Sequence, residues 1–198
     1  MSKEYYKIVL IGGGSVGKSC LTVQYLHGRF HQDYDPTIEQ SYQKETEIDN
    51  KEVTLEIIDT AGQEEYRSVR DKYISTGQAF LIVYSIISRT SFIEAKQLHQ
   101  AVKRAKGPKG APVITVANKS DLHEERVVTV ESGEELAAEF SSLYFETSAK
   151  TGSNVAECFQ QLVRELRKRK DTISENQPKS NPQKEVNKSE GGGCCIIL

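Results

Sequence analysis

Four short runs of the chain, residues 5–11, 53–59, 79–84 and 112–117, are mostly apolar. Each is too short for an ordinary helix and too apolar for a strand with one wet face, so each is expected to be a strand covered on both sides. Helical spacing appears between and after them. Residues 91–105 put Phe92, Ala95, Leu98 and Val102 on one face, and Gly107 and Pro108 end that helix. Residues 18–28 and 131–140 read as two more helices, and residues 154–170 as a last one with Val155, Cys158, Phe159, Leu162 and Leu166 inward. Residues 41–48 and 144–146 complete the strands, and the two-residue link Asp49-Asn50 fits a hairpin, which makes the strand before it antiparallel to the one after it. Residues 29–37, which include Pro36, and residues 60–77 are polar and read as irregular. Strands alternating with helices define an α/β fold, a six-stranded, mostly parallel sheet with one antiparallel strand, flanked by helices.

The 198 residues divide into a domain over residues 1–170 and a tail over residues 171–198, rich in Ser, Asn, Gln, Lys, Glu and Pro and expected to be disordered. A net charge of −2 offers no basic field for nucleic acid, which is not an expected partner. The cysteines Cys20, Cys158, Cys194 and Cys195 lack metal-ligand spacing and are expected to be reduced thiols. No apolar run approaches the roughly 18 residues of a membrane-spanning helix. The N-terminus lacks a signal-peptide run, and Ser2 stands where N-myristoylation requires glycine. Membrane contact is therefore expected only through an added group.

Where the first strand ends, the chain reads Gly12-Gly13-Gly14-Ser15-Val16-Gly17-Lys18-Ser19, which fits G-x-x-x-x-G-K-[ST]. Between a strand and a helix, such glycines let successive backbone N–H groups turn inward around phosphate oxygens, and the helix N-terminus adds free donors and a positive dipole end. Lys18 can reach the outer phosphates, and the Ser19 hydroxyl can ligate Mg²⁺. In an open parallel sheet, ligands lie beyond the carboxyl ends of the strands. There Asp59 can hold Mg²⁺ through water, opposite Ser19, while Gly62 offers a backbone N–H to a γ-phosphate and Gln63 can orient an attacking water. Asn118-Lys119-Ser120-Asp121 follows another strand. The Asp121 carboxylate can accept two parallel hydrogen bonds, which matches the N1–H and 2-amino edge of guanine and mismatches adenine. Ser148, Ala149 and Lys150 follow the last strand with a backbone N–H for the base oxygen. Taken singly, each segment is also an ordinary turn, cap or solvated loop. An ATP-using P-loop enzyme and a nucleotide-locked interaction module stay open as rival readings.

The motifs GGGSVGKS, YDPTIE, DTAGQEEY, NKSD and TSAK stand in this order. On them the chain resembles a small GTPase of the Ras family, a P-loop NTPase, over residues 5–170, and Gln63 resembles Ras rather than Rap. The resemblance implies a GTP/GDP pocket formed by Gly12, Gly13, Gly14, Ser15, Val16, Gly17, Lys18, Ser19, Cys20, Phe30, Tyr34, Pro36, Thr37, Asp59, Gly62, Asn118, Lys119, Asp121, Ser148, Ala149 and Lys150. Ser19, Thr37 and Asp59 would hold Mg²⁺, Phe30 would pack over the guanine, Lys119 along it, and Tyr34 over the phosphates. Gln63, Lys18 and Gly62 would be catalytic. Loss of the γ-phosphate would release Thr37 and Gly62 and relax residues 29–42 and 60–77, the order–disorder switch of which Ras is the type example. Implied partners are an exchange factor, an activating protein supplying the arginine finger that no arginine of this chain provides, and effectors at Tyr34, Asp35, Pro36, Thr37, Ile38, Glu39, Gln40, Ser41 and Tyr42. Two positions depart from close relatives. Ser15 stands where glycine is usual, so altered nucleotide release is expected. Gln40 replaces an aspartate, removing a charge available to an effector arginine.

Cys195-Ile196-Ile197-Leu198 fits C-a-a-X, whose final leucine favours geranylgeranyl. One lipid anchors only marginally, and the tail is not polybasic, since three lysines after residue 170 face four carboxylates. Arg164, Arg167, Lys168, Arg169 and Lys170 lie more than twenty residues from the lipid and read as a solvated helix end. Cys194 is therefore the candidate for a second lipid, palmitoyl or prenyl. The expected location is the cytoplasmic face of the plasma membrane, with the cytosol before lipidation.

Overall fold

The apolar runs lie side by side. In the computed structural model, which describes residues 3–30, 39–60 and 67–175, they form the interior of one sheet. β1 (Glu4–Gly12) runs parallel between β3 (Lys51–Thr60) and β4 (Ala79–Ser85). β5 (Val113–Asn118) and β6 (Leu143–Thr147) extend the sheet in the same direction. β2 (Glu39–Ile48) pairs antiparallel with β3, giving the order β2-β3-β1-β4-β5-β6. Alternate residues face opposite sides: Ile8, Leu10, Leu55, Ile57 and Leu81 enter one buried cluster and Val9, Ile11, Ile58, Phe80 and Ile82 the other. That is why these strands need no polar face. Asp49 and Asn50, at φ 54° and 58°, supply the left-handed pair that a two-residue hairpin requires.

Helices supply the two covers. α1 (Lys18–His27) and α5 (Val155–Glu175) bring Leu21, Tyr25, Phe159 and Leu162 into the first cluster, where Tyr25 stacks on Phe159 with ring centres 4.0 Å apart. α2 (Arg67–Thr76), α3 (Arg89–Lys106) and α4 (Val130–Glu139) cover the other side through Tyr73, Ile74, Ala95, Leu98, Val102 and Leu136. α3 also buries two polar side chains on its inward face. The Ser91 hydroxyl accepts from the Ser85 N–H at 3.0 Å, and His99 Nε2 lies 2.9 Å from Thr115 Oγ1.

Three sequence expectations change. Residues 67–76, read as irregular, are the helix α2; Tyr73 and Ile74 are adjacent anchors rather than a stripe, so packing on β1 and α3 makes this helix where periodicity could not announce it. α5 continues past Lys170 to Glu175, because no glycine or proline intervenes and the Thr172 hydroxyl donates to the Lys168 carbonyl at 3.0 Å. Arg164 and Arg167 are not a solvated helix end. Arg164 Nη2 donates to Asp49 Oδ1 at 2.9 Å, and Arg167 Nη2 donates to Glu4 Oε2 at 2.7 Å while its Nη1 donates to the Ile48 carbonyl at 2.9 Å, so together they clamp the β2–β3 hairpin onto α5.

Candidate nucleotide-binding site

The ends of β1, β3, β5 and β6 share one edge of the sheet, so the glycine loop, Asp59 and the loops after β5 and β6, all singled out by sequence, meet there. The glycine loop is held against the sheet by steric necessity. A β-carbon on Gly12 would fall 2.2 Å from the Val83 carbonyl oxygen of β4, a backbone atom that cannot step aside. Gly17, at φ 95°, begins α1 in a left-handed conformation. A β-carbon on Gly14, by contrast, would meet nothing within 4 Å among the described residues. Lys18 is buried, and its Nζ donates to the Gly12 and Gly13 carbonyls at 3.1 and 2.8 Å, so the ammonium folds back across the loop it must serve. Sequence gave no hint of Glu94, whose Oε2 occupies a position 1.9 Å from where a β-carbon of Gly13 would be. Its signal lies only in space, since α3 passes beside the loop.

Ser15 adopts φ 58°, the left-handed region where a side chain is disfavoured. A β-carbon there carries about 1 kcal/mol of backbone strain, part of which is offset because serine has less freedom than glycine to lose on folding. Ser15→Gly is therefore expected to leave the denaturation midpoint unchanged or slightly raised and to alter the GDP release rate. A clear loss of stability, or an identical release rate, would contradict this account.

Asn118, one of the expected pocket residues, has its amide engaged within the chain: Nδ2 donates to the Val16 carbonyl at 2.9 Å, and Oδ1 accepts from Thr147 Oγ1 at 3.2 Å and from the Ala149 N–H at 3.3 Å. One side chain thus joins the glycine loop to both loops beyond β5 and β6. Lys119 sits at φ 67°. The Asp121 carboxylate is fixed at one oxygen, where Oδ1 accepts from Ser148 Oγ at 2.6 Å while that hydroxyl accepts from the Thr151 N–H at 3.1 Å. Ser148 was assigned to base contact, and here it orients the carboxylate as well. Ala149 is buried, Lys150 exposed and Cys20 half-buried. Phe30 packs partly against the α1–α5 cluster at the end of a described stretch.

Asp59 is fully buried at the end of β3, and neither carboxylate oxygen has a well-formed hydrogen bond among the described residues. Burial pushes its carboxyl above the usual aspartate range, while the neighbouring Ser19 hydroxyl and the Lys18 charge pull it part of the way back. A buried anion beside a hydroxyl fits a hard divalent cation. No cluster of three His, Cys, Asp or Glu side chains occurs among the described residues, so such an ion would take this carboxylate and hydroxyl together with phosphate oxygens, as Mg²⁺ does. Asp59→Asn is expected to raise the melting temperature of the nucleotide-free protein in EDTA, because the desolvated charge is gone. The same change should weaken Mg²⁺-dependent nucleotide binding about 10- to 100-fold. Melting curves with and without Mg²⁺ check both signs, and a fall in both would refute the role.

Tyr34, Asp35, Pro36, Thr37, Ile38, Gly62, Gln63, Cys194 and Cys195 lie outside the described residues. Of the proposed effector stretch, residues 39–42 begin β2, an edge strand; Gln40 and Ser41 are exposed, and the Tyr42 hydroxyl donates to Gln40 Oε1.

A glycine loop between β1 and α1, with a buried aspartate at the end of β3 and a pinned one beyond β5, defines a P-loop nucleotide-binding protein of the α/β class. The family description "Ras family" matches residues 7–168 of the chain. Over 170 residues, 86% of this chain and 80% of the other, it is 52% identical to "Protein ras-1" of Neurospora crassa. It is 46% identical over 195 residues to a "Ras-like protein" of Laccaria bicolor (96% of this chain, 93% of that one). It is 44% identical over 194 residues to "Ras-like protein rasB" of Dictyostelium discoideum (98% and 97%). The chain belongs to the Ras family and is a small GTPase.

Proposed function

We propose that this GTPase works as a lipid-anchored switch that passes between GTP-bound and GDP-bound states and relays the GTP state to effectors. The observation that carries the reading is the Asp121–Ser148 pair, which leaves one carboxylate oxygen pinned and the other directed by it, suited to a guanine edge. In the proposed mechanism the backbone N–H groups of the glycine loop and the Lys18 ammonium hold the β- and γ-phosphates and stabilise charge that moves onto the leaving oxygen. Ser19, Asp59 and Thr37 would hold Mg²⁺, which neutralises phosphate charge when bound. Gln63 orients the attacking water, and Gly62 offers its N–H to the γ-phosphate. As the sequence offers no arginine with a claim to the γ-phosphate, the chain hydrolyses GTP slowly until an activating protein supplies one. Release of the γ-phosphate frees Thr37 and Gly62, and an effector reading residues 34–42 loses its surface.

The purified chain is expected to carry GDP or GTP and to convert added GTP to GDP, with a large acceleration by an activating protein. Gln63→Leu and Gly14→Val should abolish that acceleration, the first by removing the water's acceptor and the second by crowding Gln63 and the incoming arginine. Copurified adenine nucleotide, or GTP left intact, would overturn the reading. For the anchor, Cys195 is the prenylated residue and Cys194 carries the second lipid. No helix among the described residues is long and apolar enough to cross a membrane, and the cytoplasmic face of the plasma membrane is the proposed location. Mass spectrometry of the membrane-bound protein showing Cys194 unmodified would remove the second-lipid proposal.

A further inference from the structure

We infer that the end of the sheet opposite the nucleotide carries a second phosphate-binding site. There, where β1 and β4 begin, a cavity of about 250 Å³ is lined by the side chains of Tyr6, Gln78, Lys106, Arg169 and Lys170 around the backbone of Gly110. Among its described lining residues three are cations and none is a carboxylate, in a chain whose net charge is −2. Glu4 pairs with Arg167, Glu56 with Lys7 and Tyr5, and Glu165 with Lys168, and Asp171, which follows Lys170, has an interaction of its own.

Each lining group has capacity to spare. Tyr6 is fully buried, and its hydroxyl has no hydrogen-bond partner among the described residues. An unpaired phenol in the interior is an unfavourable arrangement that an acceptor would relieve. The Arg169 guanidinium lies over Gly110, 3.9 Å from where a β-carbon would sit, and makes no hydrogen bond or ion pair among the described residues. Gly110, at φ 58°, keeps that approach open. Lys170 Nζ rests 4.2 Å from the centre of the Tyr6 ring. Lys106 Nζ donates to the Ser75 carbonyl at 2.7 Å and keeps two further N–H groups, and burial lowers its pKa. Gln78 Oε1 accepts from the Lys7 N–H at 2.8 Å, which leaves its amide N–H groups as donors.

A planar guanidinium and two ammonium groups around one concavity, with the unpaired Tyr6 hydroxyl buried beneath it, suit a tetrahedral oxyanion, the arginine being able to bind two oxygens in parallel. The volume accommodates a phosphate group and part of its ester. The site is separate from the glycine loop, because Tyr6 and Gly12 are six residues apart along β1, about 20 Å. The ligand is a phosphate, either free or borne by a phospholipid headgroup, since α5 leads directly from Arg169 and Lys170 toward the tail.

The test uses the full-length, unlipidated chain loaded with GDP, so that neither an empty glycine loop nor a lipid anchor contributes. One arm titrates inorganic phosphate at constant ionic strength and follows the backbone amide resonances of Gln78, Gly110 and Ala111. The other measures sedimentation with phosphatidylcholine vesicles containing phosphatidylinositol 4-phosphate, against phosphatidylcholine alone. Saturable binding in the first arm assigns a free phosphate, and vesicle binding without it assigns the headgroup. In either arm Arg169→Ala with Lys170→Ala should weaken binding about tenfold or more. Tyr6→Phe, which keeps the ring and its packing, should weaken it about threefold with an unchanged melting temperature. Absence of binding in both arms, or affinities in both variants equal to the parent's, would overturn the proposal.

Discussion

Asn118→Ala is expected to release GDP about a hundredfold faster than the parent and to lower unfolding stability by roughly 3 kcal/mol. The side chain is 1% exposed, and its one donor and two accepted hydrogen bonds reach the Val16 carbonyl, the Thr147 hydroxyl and the Ala149 N–H. Truncation leaves those three groups buried and unpaired, each at a cost of about 1 kcal/mol or more. A factor of a hundred in rate corresponds to about 2.8 kcal/mol, so the two readouts should agree in size. The effect on nucleotide comes through the loop: without its tie to β5, the Val16 carbonyl is free to turn and the N–H groups on either side lose their common direction. A stopped-flow exchange assay with fluorescent GDP, alongside denaturant unfolding, checks both quantities. Release at the parent rate would mean that the glycine loop holds its shape without the tie.

Acidification supplies the second large effect. His99 is 3% exposed, stacks on Phe140 with ring centres 4.7 Å apart and lies against Thr115; burial pushes its pKa down to about 4, with the charge of Glu139 opposing slightly. In the unfolded chain it titrates near its ordinary value of about 6.5. Above about pH 6.5 both states are neutral and nothing changes. Between about pH 6.5 and 4 the unfolded chain binds a proton that the folded one refuses, so stability falls as pH falls. At about 1.4 kcal/mol per pH unit, the loss accumulates to roughly 3 kcal/mol by pH 4. Other groups titrate in acid too, notably Asp49 and Glu56, whose carboxyls lie below their usual range beside Arg164 and beside Tyr5 and Lys7. The comparison with His99→Gln isolates the histidine: the variant's stability should be flatter between pH 6.5 and 5, where those carboxylates stay ionised. Parallel curves for the two proteins would show that His99 protonates without opening the fold.

The chemistry of the site was legible to different depths. Gly12 to Ser19 could be read at once, because a phosphate cradle is a local object: one strand, one turn and one helix start, contiguous in sequence. The guanine preference could be read from Asp121, because two acceptors on one carboxylate suffice to state it. The division of labour around them could not. Asn118 and Ser148 were read only as pocket residues, and sequence could not show that one is tied to Val16, 102 positions away, while the other pins Asp121 across 27 positions. Glu94 gave no sign at all, since its relation to Gly13 exists only because α3 passes that loop.

By itself, then, the sequence determined what depends on neighbours along the chain: the apolar strands, the left-handed Asp49-Asn50 turn, the glycine loop and the inward stripe of α5. Tertiary structure alone decided what depends on strand order. The arrangement β2-β3-β1-β4-β5-β6 brings Asp59 into full burial beside Ser19, folds α2 from a segment with no stripe of its own, and turns Arg164 and Arg167 from solvated charges into clamps. It also leaves Tyr6, Arg169 and Lys170 around one cavity with no carboxylate among its described lining residues. Burial and electrostatic pairing are set by distances in space, and residues far apart in the chain acquire those distances only when the sheet closes its order.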